Sequence, residues 1–437
     1  MERFAYKQLL GWKKKNDRKP LIIRGARQVG KTWLMKKFAK NEFPSTAYFN
    51  FEANSRLQAI FAGDLDTDRI IRALGIEAGK PIVAGETLLI FDEIQEAPDA
   101  LISLKYFYEN VPGYPIMAAG SLLGVALHQH TSFPVGKVDF MDLYPLSFPE
   151  FLLANRQEPL VNLLPEKDWA MISTFREKYI ELLRQYYYVG GMPEAVQAFA
   201  TTGNYEQVRT IQKNILLAYE QDFSKHAPND IVPRIRMLWN SVPSQLTKEN
   251  RKFIYSHIKE GARAKDYEVA MTWLINCGLL HKVNRVKKPA IPLKAYEDPS
   301  AFKLFLSDVG LLAAMTNIPA RTLLEGNALF QEFKGALTEQ FVFQQLVTHP
   351  DWVTFYWSAE NRRAEIDFVL QLDDYLVSLE VKAEENLKSK SLRVVHDEFT
   401  PSLSVRTSLS NYRKEEWMVN LPLYSIHQIK DLAAVGY

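Results

Sequence analysis

Eight consecutive residues near the start of the chain have the types and the spacing of a phosphate-binding loop. They read GARQVGKT from Gly25 to Thr32, which fits the pattern G-x-x-x-x-G-K-S/T. Glycines let successive backbone N–H groups face one anion, and the N-terminus of the following helix adds a partial positive charge. In this pattern Lys31 is expected to contact the β- and γ-phosphates, and the Thr32 hydroxyl to bind Mg²⁺. The sequence therefore predicts a nucleotide site whose ligands are ATP and Mg²⁺.

A pair of carboxylates forms the second candidate group. The apolar run at residues 88–91 leads directly into Asp92 and Glu93, which is typical of a buried parallel strand with acidic residues at its C-terminal end. We expect Asp92 to hold Mg²⁺ through water, and Glu93 to orient or deprotonate the water that attacks the γ-phosphate. An apolar run that ends in acids is common by itself, but downstream of a complete phosphate-binding loop it is a strong signal.

Ser121 is a third candidate at the nucleotide site, since it follows the predicted strand at residues 115–119. Two roles are open for it: a sensor of the γ-phosphate at the tip of that strand, or the cap of the following helix. The full set of expected nucleotide contacts is Gly25, Ala26, Arg27, Gln28, Val29, Gly30, Lys31, Thr32, Trp33, Asp92 and Ser121. The sequence does not assign an arginine finger, although Arg24 and Arg27 lie close to the loop.

A separate group of charged residues lies near the end of the chain. Asp367 and Glu380 fall on adjacent predicted strands, and Lys382 shares a strand face with Glu380. With Glu339 on the preceding predicted helix, the carboxylates could bind a divalent metal, while Lys382 stabilises the transition state of phosphodiester hydrolysis or helps to activate water. The expected metal ligands are Glu339, Asp367 and Glu380, and the expected catalytic residues are Asp367, Glu380 and Lys382. The residues leave one alternative open, a pair of surface strands joined by a Glu380–Lys382 salt bridge.

The hydrophobic pattern predicts the elements that must position these groups. Strands are predicted by short apolar or alternating runs, which lie at residues 21–23, 47–51, 87–93, 115–119 and 138–144. Helical patterns separate most of these runs. Strands that alternate with helices indicate an α/β fold with a parallel sheet.

The region from residue 229 to residue 315 has the pattern of a winged-helix module, with two helices followed by a basic β-hairpin. The predicted helices cover residues 246–258 and 266–277, and the predicted strands cover 279–283 and 292–296. Winged helices contact DNA in some proteins and only pack against protein in others, so both roles stay open.

The length and the amino-acid composition limit the classes of protein to which this chain can belong. The chain has 437 residues, a formal net charge of +2, and 47% hydrophobic and 12% aromatic residues, which predicts about three folded domains. A charge so close to zero lacks the basic excess of a dedicated nucleic-acid binder. The single cysteine, Cys277, excludes an intramolecular disulfide and a zinc site built from several cysteines. Since no apolar run reaches the length of a membrane span, we expect a soluble cytoplasmic protein without a membrane partner.

These motifs, with several others, resemble those of the prokaryotic AAA-type ATPases that carry a domain of unknown function behind the ATPase core. The shared signatures are GARQVGKT at 25–32, FDEIQ at 91–95, AGS at 119–121, YPLSF at 144–148, GGMPE at 190–194, FKL at 302–304, DVGLL at 308–312, EID at 365–367 and LEVK at 379–382. The resemblance implies four domains: an AAA+-type P-loop α/β core at 1–155, a helical lid at 156–228, a winged-helix module at 229–315, and a restriction-endonuclease-like α/β domain of the PD-(D/E)XK type at 316–437.

Two functions follow from these expectations. In the first, the protein hydrolyses ATP to drive or gate a C-terminal nuclease-like domain that acts on DNA. In the second, the protein is an ATP-dependent molecular switch whose nuclease-like domain is inactive and docks a protein partner or a second copy of the chain. The interleaved acidic and basic residues of the last domain form no clean basic stripe, which favours the second function.

Overall fold

The computed structural model describes residues 1–120, 134, 136–246, 252–325, 331–360, 364–384 and 389–435. These residues form two compact units. The N-terminal unit comprises Glu2–Tyr144 and the short stretch Asn276–Leu279, and the C-terminal unit comprises Pro145–Ile275 and Leu280–Tyr437, together with Met1. Ser121, one of the expected nucleotide contacts, lies outside the described residues.

A five-stranded parallel sheet forms the framework of the described part of the N-terminal unit. Its strands are β1 (Leu21–Arg24), β2 (Ser45–Asn50), β3 (Thr87–Asp92), β4 (Ile116–Ala119) and β5 (Asp139–Asp142), in the order β2-β3-β4-β1-β5. The predicted α/β fold with a parallel sheet is thereby confirmed. Because the carboxyl ends of parallel strands share one edge of the sheet, β1 and β3 bring the phosphate-binding loop and Asp92 to the same edge.

Helices and aromatic side chains complete the N-terminal unit. The helices are α1 (Ala5–Lys13), α2 (Lys31–Glu42), α3 (Arg56–Phe61), α4 (Thr67–Ala78) and α5 (Pro98–Asn110). Every residue of β3 is buried, which explains why its sequence is a continuous apolar run and not an alternating one. Phe91 on β3 makes edge-to-face contacts at centroid distances of 5.7 to 6.4 Å with Phe49, Phe51, Phe61 and Phe107. These rings fix β3 against α3 and α5.

The first half of the C-terminal unit is helical. Its helices are α6 (Phe148–Ala154), α7 (Glu158–Glu166), α8 (Trp169–Thr174), α9 (Arg176–Val189), α10 (Pro193–Thr202), α11 (Tyr205–His226), α12 (Val232–Leu246) and α13 (Ala264–Asn276). The helical character expected of residues 156–228 is present, and the function of this region as a lid stays a prediction. In the part of the chain that the structure describes, no helix combines the length and the apolar character needed to cross a bilayer.

An eight-stranded mixed sheet occupies the second half of the C-terminal unit, counted over the described residues. Its strands are β6 (Leu280–Val286), β7 (Glu297–Leu306), β8 (Trp352–Ser358), β9 (Glu365–Leu372), β10 (Tyr375–Val381), β11 (Leu403–Ser408), β12 (Arg413–Lys414) and β13 (Val419–Pro422), in the order β12-β13-β11-β10-β9-β8-β6-β7. The accompanying helices are α14 (Val309–Met315), α15 (Ala320–Glu325), α16 (Gln331–Leu346), α17 (Lys390–Phe399) and α18 (Ile429–Val435). Short 3₁₀ turns lie at Ile94–Glu96, Tyr255–His257, Leu293–Tyr296 and Leu423–Gln428.

The region expected to be a winged helix differs from its prediction in two elements. Where a helix was expected at residues 246–258, the described part holds only the end of α12 and the 3₁₀ turn Tyr255–His257. Residues 247–251 of this predicted helix lie outside the described residues, and residues 252–258 form no α-helix. The strand expected at residues 292–296 is also wrong, because the second strand of the hairpin begins at Glu297.

The hairpin of β6 and β7 belongs to the large sheet. β6 pairs antiparallel with β7 on one side and parallel with β8 on the other. Strands before and after the expected boundary between residues 315 and 316 therefore belong to one sheet. The division into four domains stays a prediction.

Asp308 joins two of the signature segments inside the C-terminal unit. Its buried carboxylate accepts hydrogen bonds from the N–H groups of Gly191 (2.5 Å) and Leu311 (2.9 Å) and from Nε2 of Gln344 (3.0 Å). The Gly191 carbonyl accepts a hydrogen bond from the Leu146 N–H at 2.7 Å, and a Cβ on residue 191 would lie 2.1 Å from the Leu146 carbonyl oxygen. The turn at Gly191 is therefore packed too closely for any side chain.

We predict that Gly191→Ala destabilises the protein by about 3 kcal/mol, because the added methyl group must displace backbone atoms in a close-packed turn. Urea unfolding followed by circular dichroism measures this change. Gly203→Ala is the matched control in the same unit. A Cβ at this position meets no atom within 4 Å, so the only cost is that of a left-handed backbone (φ 64°) for alanine. We expect this cost to lower the free energy of unfolding by about 1 kcal/mol. Equal unfolding midpoints for Gly191→Ala and the wild type would contradict the packing argument.

Candidate functional site

The phosphate-binding loop connects β1 to α2 through three residues with positive φ. The φ angles of Gly25, Gln28 and Gly30 are 143°, 68° and 95°. A Cβ on Gly25 would lie 2.2 Å from the carbonyl oxygen of Leu143. The backbone itself therefore requires glycine at Gly25, and a glycine at Gly30 meets the left-handed conformation at the start of α2 without strain.

Lys31 is buried and folded back on the loop. Its ammonium donates hydrogen bonds to the carbonyl oxygens of Gly25 and Ala26, each at 2.9 Å. Burial lowers the pKa of Lys31 from its usual value of 10.5 to about 8, although the nearby carboxylates of Glu93 and Asp92 act in the opposite direction. Phosphate oxygens can therefore replace these two carbonyl oxygens as the acceptors of the Lys31 hydrogen bonds.

Asp92 connects the loop to the neighbouring strands. The Thr32 hydroxyl and the Tyr48 hydroxyl both donate to Oδ2 of Asp92, each at 2.8 Å. Burial, assisted by the hydrogen bond to Asp92, raises the pKa of Tyr48 to about 12, so that this phenol stays a neutral donor. Tyr48 was not among the expected site residues. Its signal in the sequence is a phenol at an alternating position of a predicted strand in the same sheet.

Thr32 and Asp92 fit a magnesium ion. Hydroxyl and carboxylate oxygens are hard ligands of the kind that Mg²⁺ prefers. The hydrogen bond of 2.8 Å places the two expected ligands side by side before any ion binds. The fold therefore brings together the oxygen donors that the sequence predicted for this ion.

Glu93 has a backbone conformation that is uncommon for a residue other than glycine. It follows β3 directly, with a φ of 52° and a ψ of 46°, and such left-handed residues cluster at functional sites. Its Oε2 accepts a hydrogen bond from Nε2 of Gln95 at 2.7 Å. Gln95 therefore orients the carboxylate of Glu93, a role that sequence analysis did not assign although Gln95 belongs to the FDEIQ signature.

One arginine braces the loop, and a second pairs with a carboxylate on the neighbouring strand. Arg3 donates from Nη1 to the Val29 carbonyl at 2.9 Å and from Nη2 to the Tyr144 carbonyl at 2.5 Å, so it ties the loop to the end of the unit. Sequence analysis did not single out Arg3. Arg24 makes two hydrogen bonds of 2.9 Å to the carboxylate of Asp142, which gives this arginine a pairing within its own unit.

The remaining expected contacts stay predictions. Trp33 is 43% exposed at the start of α2, and the Lys37 ammonium lies 4.9 Å from the centroid of the Trp33 ring. Arg27 lies close enough to Lys31 to lower the pKa of that lysine further. No structural account of Ser121 is possible, since it is outside the described residues.

The C-terminal group of charged residues lies on β9, β10 and α16, and its charges are already paired. The Lys382 ammonium lies 2.8 Å from Oε1 of Glu380. Oδ2 of Asp367 accepts a hydrogen bond from the Val381 N–H at 2.8 Å. Burial raises the pKa of Glu380, while the charge of Lys382 acts against this shift. The Glu380–Lys382 ion pair that the sequence left open is therefore present, but its carboxylate is buried and not on a surface strand.

Lys303 on β7 supplies a second cation to this group. Its side chain is fully buried, and its ammonium lies 2.6 Å from Oε1 of Glu365, 3.0 Å from Oε1 of Glu339 and 3.8 Å from Oδ1 of Asp367. Neither Lys303 nor Glu365 was among the expected site residues. A lysine inside the apolar run at 301–306 requires buried partners of opposite charge. This pattern is the sequence signal that could have identified Lys303 as a residue of the group.

The C-terminal group does not fit a divalent metal ion. Among the described residues, no group of three or more His, Cys, Asp or Glu side chains is arranged to hold one. The Lys303 ammonium already lies between Glu339 and Asp367, two of the three expected ligands. The geometry therefore gives no support to the expectation that Glu339, Asp367 and Glu380 bind a metal.

Comparison with protein families finds three matches along the chain. An AAA domain matches residues 17–152. Two domains of unknown function, DUF8612 and DUF4143, match residues 180–322 and 334–426. A comparison with curated proteins finds no match.

Comparison with solved structures finds distant likenesses. The Walker-type ATPase paby2304 of Pyrococcus abyssi has 14% sequence identity and a TM-score of 0.44, over 72% of this chain and 95% of that chain. The Orc1 protein of Aeropyrum pernix, solved in complex with DNA, has 11% identity and a TM-score of 0.26, over 73% and 92%. Cdc6p from Pyrobaculum aerophilum has 12% identity and a TM-score of 0.26, over 74% and 93%.

The matched AAA region contains the whole parallel sheet and the loop with its surrounding side chains. It begins before β1 and ends after β5. The phosphate-binding loop, Asp92 and Glu93 all lie inside it. Residues 17–152 are therefore similar to an AAA domain, and the P-loop motif lies inside the matched region.

Proposed function

We propose that the protein is a Mg²⁺-dependent ATPase that works as an ATP-dependent molecular switch, in which the nucleotide state of the AAA domain controls the C-terminal unit. The observation that carries this proposal is the hydrogen bond of 2.8 Å between Thr32 and Asp92, beside the buried Lys31. One edge of the sheet thereby holds a cation for phosphate and the oxygen donors for Mg²⁺.

Each residue of the site has a role in the proposed reaction. The loop N–H groups bind phosphate oxygens, and Lys31 exchanges its two carbonyl acceptors for the β- and γ-phosphates. Thr32 and Asp92 would hold Mg²⁺, which when bound neutralises negative charge on the phosphates. Glu93 accepts a proton from the attacking water, and Gln95 holds the Glu93 carboxylate in place.

We predict that the affinity for ATP falls as the pH rises above about 8. The pKa of Lys31 in the nucleotide-free protein is about 8, and only the protonated ammonium attracts phosphate. Because the charged fraction of Lys31 falls as the pH passes this value, Kd should rise by up to about tenfold per pH unit above it. The terminal phosphate of ATP titrates near pH 6 and adds nothing in this range. Calorimetric titration with ATP from about pH 7 to about pH 9.5 measures the effect.

Two variants control this measurement. Lys31→Ala should bind ATP at least about tenfold more weakly and lose the dependence on pH, since the titrating group is gone. Lys40→Ala removes an exposed lysine near the end of the same helix and should behave like the wild type. A pH dependence that persists in Lys31→Ala would assign the titration to another group and contradict the proposed role of Lys31.

We predict that Glu93→Gln binds ATP as the wild type does but hydrolyses it about 100-fold more slowly, because an amide does not accept the proton of the attacking water. Calorimetry measures the binding, and release of inorganic phosphate measures kcat. Glu96→Gln, in the 3₁₀ turn directly after Glu93, is the matched control and should keep the wild-type rate. If Glu93→Gln turns over like the wild type, the assignment of the base is wrong.

Two activities compete for the C-terminal unit. One is a nuclease that cuts DNA under the control of the nucleotide, and the other is an inactive nuclease-like fold that docks a protein partner or a second copy of the chain. The pairing of Lys303 and Lys382 with the expected catalytic carboxylates favours docking. A metal that must polarise a phosphodiester would have to compete with these lysines for the carboxylates.

We predict that the wild-type protein, with ATP and Mg²⁺, nicks supercoiled and branched DNA no faster than Glu380→Ala and Lys382→Ala do. The reason is that Lys382 pairs with Glu380 and is not held toward a bound phosphodiester. Gel electrophoresis of the DNA over time measures nicking. Cleavage by the wild type that both variants lose would establish the nuclease and remove the docking alternative.

A further inference from the structure

We propose that a lysine ammonium, and not a divalent metal ion, is the resident cation of the nuclease-like site. The cation is Lys303, and its carboxylate partners are Glu339, Glu365 and Asp367; we call these four residues the ion cluster. The inference concerns the ion cluster alone and does not depend on ATP hydrolysis at the other site.

In the ion cluster, Lys303 connects a helix to a strand in the way that a bridging metal ion would. Glu339 reaches the ammonium from α16. Glu365 and Asp367 reach it from β9, where their separation of two residues places them on the same face of the strand. Lys303 itself comes from β7, at the edge of the same sheet. One cation therefore ties a helix to a strand through carboxylates of both, as a bridging metal ion does.

Lys303 is shielded from solvent, and its charge is met by carboxylates. Its side chain is fully buried, and its strand neighbours Phe302 and Leu304 are buried as well. The centroid of the Tyr356 ring lies 5.0 Å from the ammonium, which adds a cation–π contact. Since a buried ammonium is stable only beside its carboxylates, the three acidic side chains and the lysine hold each other in place.

Two lysine side chains, Lys303 and Lys382, supply positive charge to the expected metal ligands. Of the three expected metal ligands, Glu339 and Asp367 face Lys303, and Glu380 pairs with Lys382 at 2.8 Å. A divalent ion would have to enter beside these two ammonium groups, where like charges repel. Access is not the obstacle, because the side chains of Glu365 and Asp367 are 27% and 20% exposed.

Removing the charge of Lys303 should therefore create a divalent-ion site that the wild type lacks. Lys303→Met keeps the length and the apolar stem of the side chain while it removes the ammonium. In the full-length, nucleotide-free protein, Lys303→Met should bind Mn²⁺ at least about tenfold more tightly than the wild type does, and its Tm should rise with Mn²⁺. Calorimetry and thermal unfolding, each with and without a chelator, measure these two effects.

Two matched variants assign the effect to the ion cluster. Lys303→Met combined with Glu365→Gln should lose the gained site, because a ligand oxygen is replaced by an amide. Lys282→Met removes an exposed lysine from the neighbouring strand β6 and should gain no Mn²⁺ site. The nucleotide site is identical in all these proteins, so any Mn²⁺ bound by Thr32 and Asp92 cancels in the comparison.

The comparison of the wild type with Glu365→Gln decides the question even if Lys303→Met does not fold. The proposal requires identical Mn²⁺ titrations for these two proteins, since Lys303 and not a metal occupies the ion cluster. Mn²⁺ binding by the wild type that Glu365→Gln abolishes would overturn the proposal. A folded Lys303→Met that gains no Mn²⁺ site would overturn it as well. Neither result would alter the ATPase rate, so a failure here is distinct from a failure of the proposed function.

Discussion

Burying a charged side chain is unfavourable unless an opposite charge or a set of hydrogen bonds meets it, and both units depend on such pairings. In the N-terminal unit, Asp92 is buried at the end of β3 and accepts hydrogen bonds from Thr32 and Tyr48. Close to it, the Lys31 ammonium donates hydrogen bonds to two carbonyl oxygens of the loop. These contacts keep an anion and a cation close together in the nucleotide-free protein, and each contact can be exchanged for a contact with Mg²⁺ or with phosphate.

The C-terminal unit meets the same constraint in two different ways. Asp308 is held by neutral N–H donors, among them Gly191 and Gln344, so its burial serves to lock two chain segments together. Lys303 is held by carboxylates, so its ammonium occupies oxygen atoms that a metal ion could otherwise use. A set of acidic residues with nuclease-like spacing is therefore not sufficient evidence for a metal site, because nearby lysines compete for the carboxylates.

Much of the N-terminal unit could be predicted because its signals are local. The run of apolar residues in β3 and the loop between β1 and α2 are continuous in the sequence, and so are the residues that act there. The errors arise where a local pattern has two interpretations. The run at residues 292–296 was expected to be a strand, but it contains the 3₁₀ turn Leu293–Tyr296, and the strand begins at Glu297. The parallel pairing of β6 with β8 joins strands far apart in the chain, which no local pattern encodes.

The sequence by itself determined which residues form the candidate nucleotide site, since Lys31, Thr32, Asp92 and Glu93 are identified by their immediate neighbours and by the ends of two strands. The tertiary structure alone decided which charges meet in the C-terminal unit. Lys303, Glu339 and Glu365 lie on three elements that are separate in the sequence, and only the packing of α16 against the sheet brings their side chains within hydrogen-bond distance. The physical reason is that an ion pair depends on distance in space, and spacing along the chain does not determine that distance.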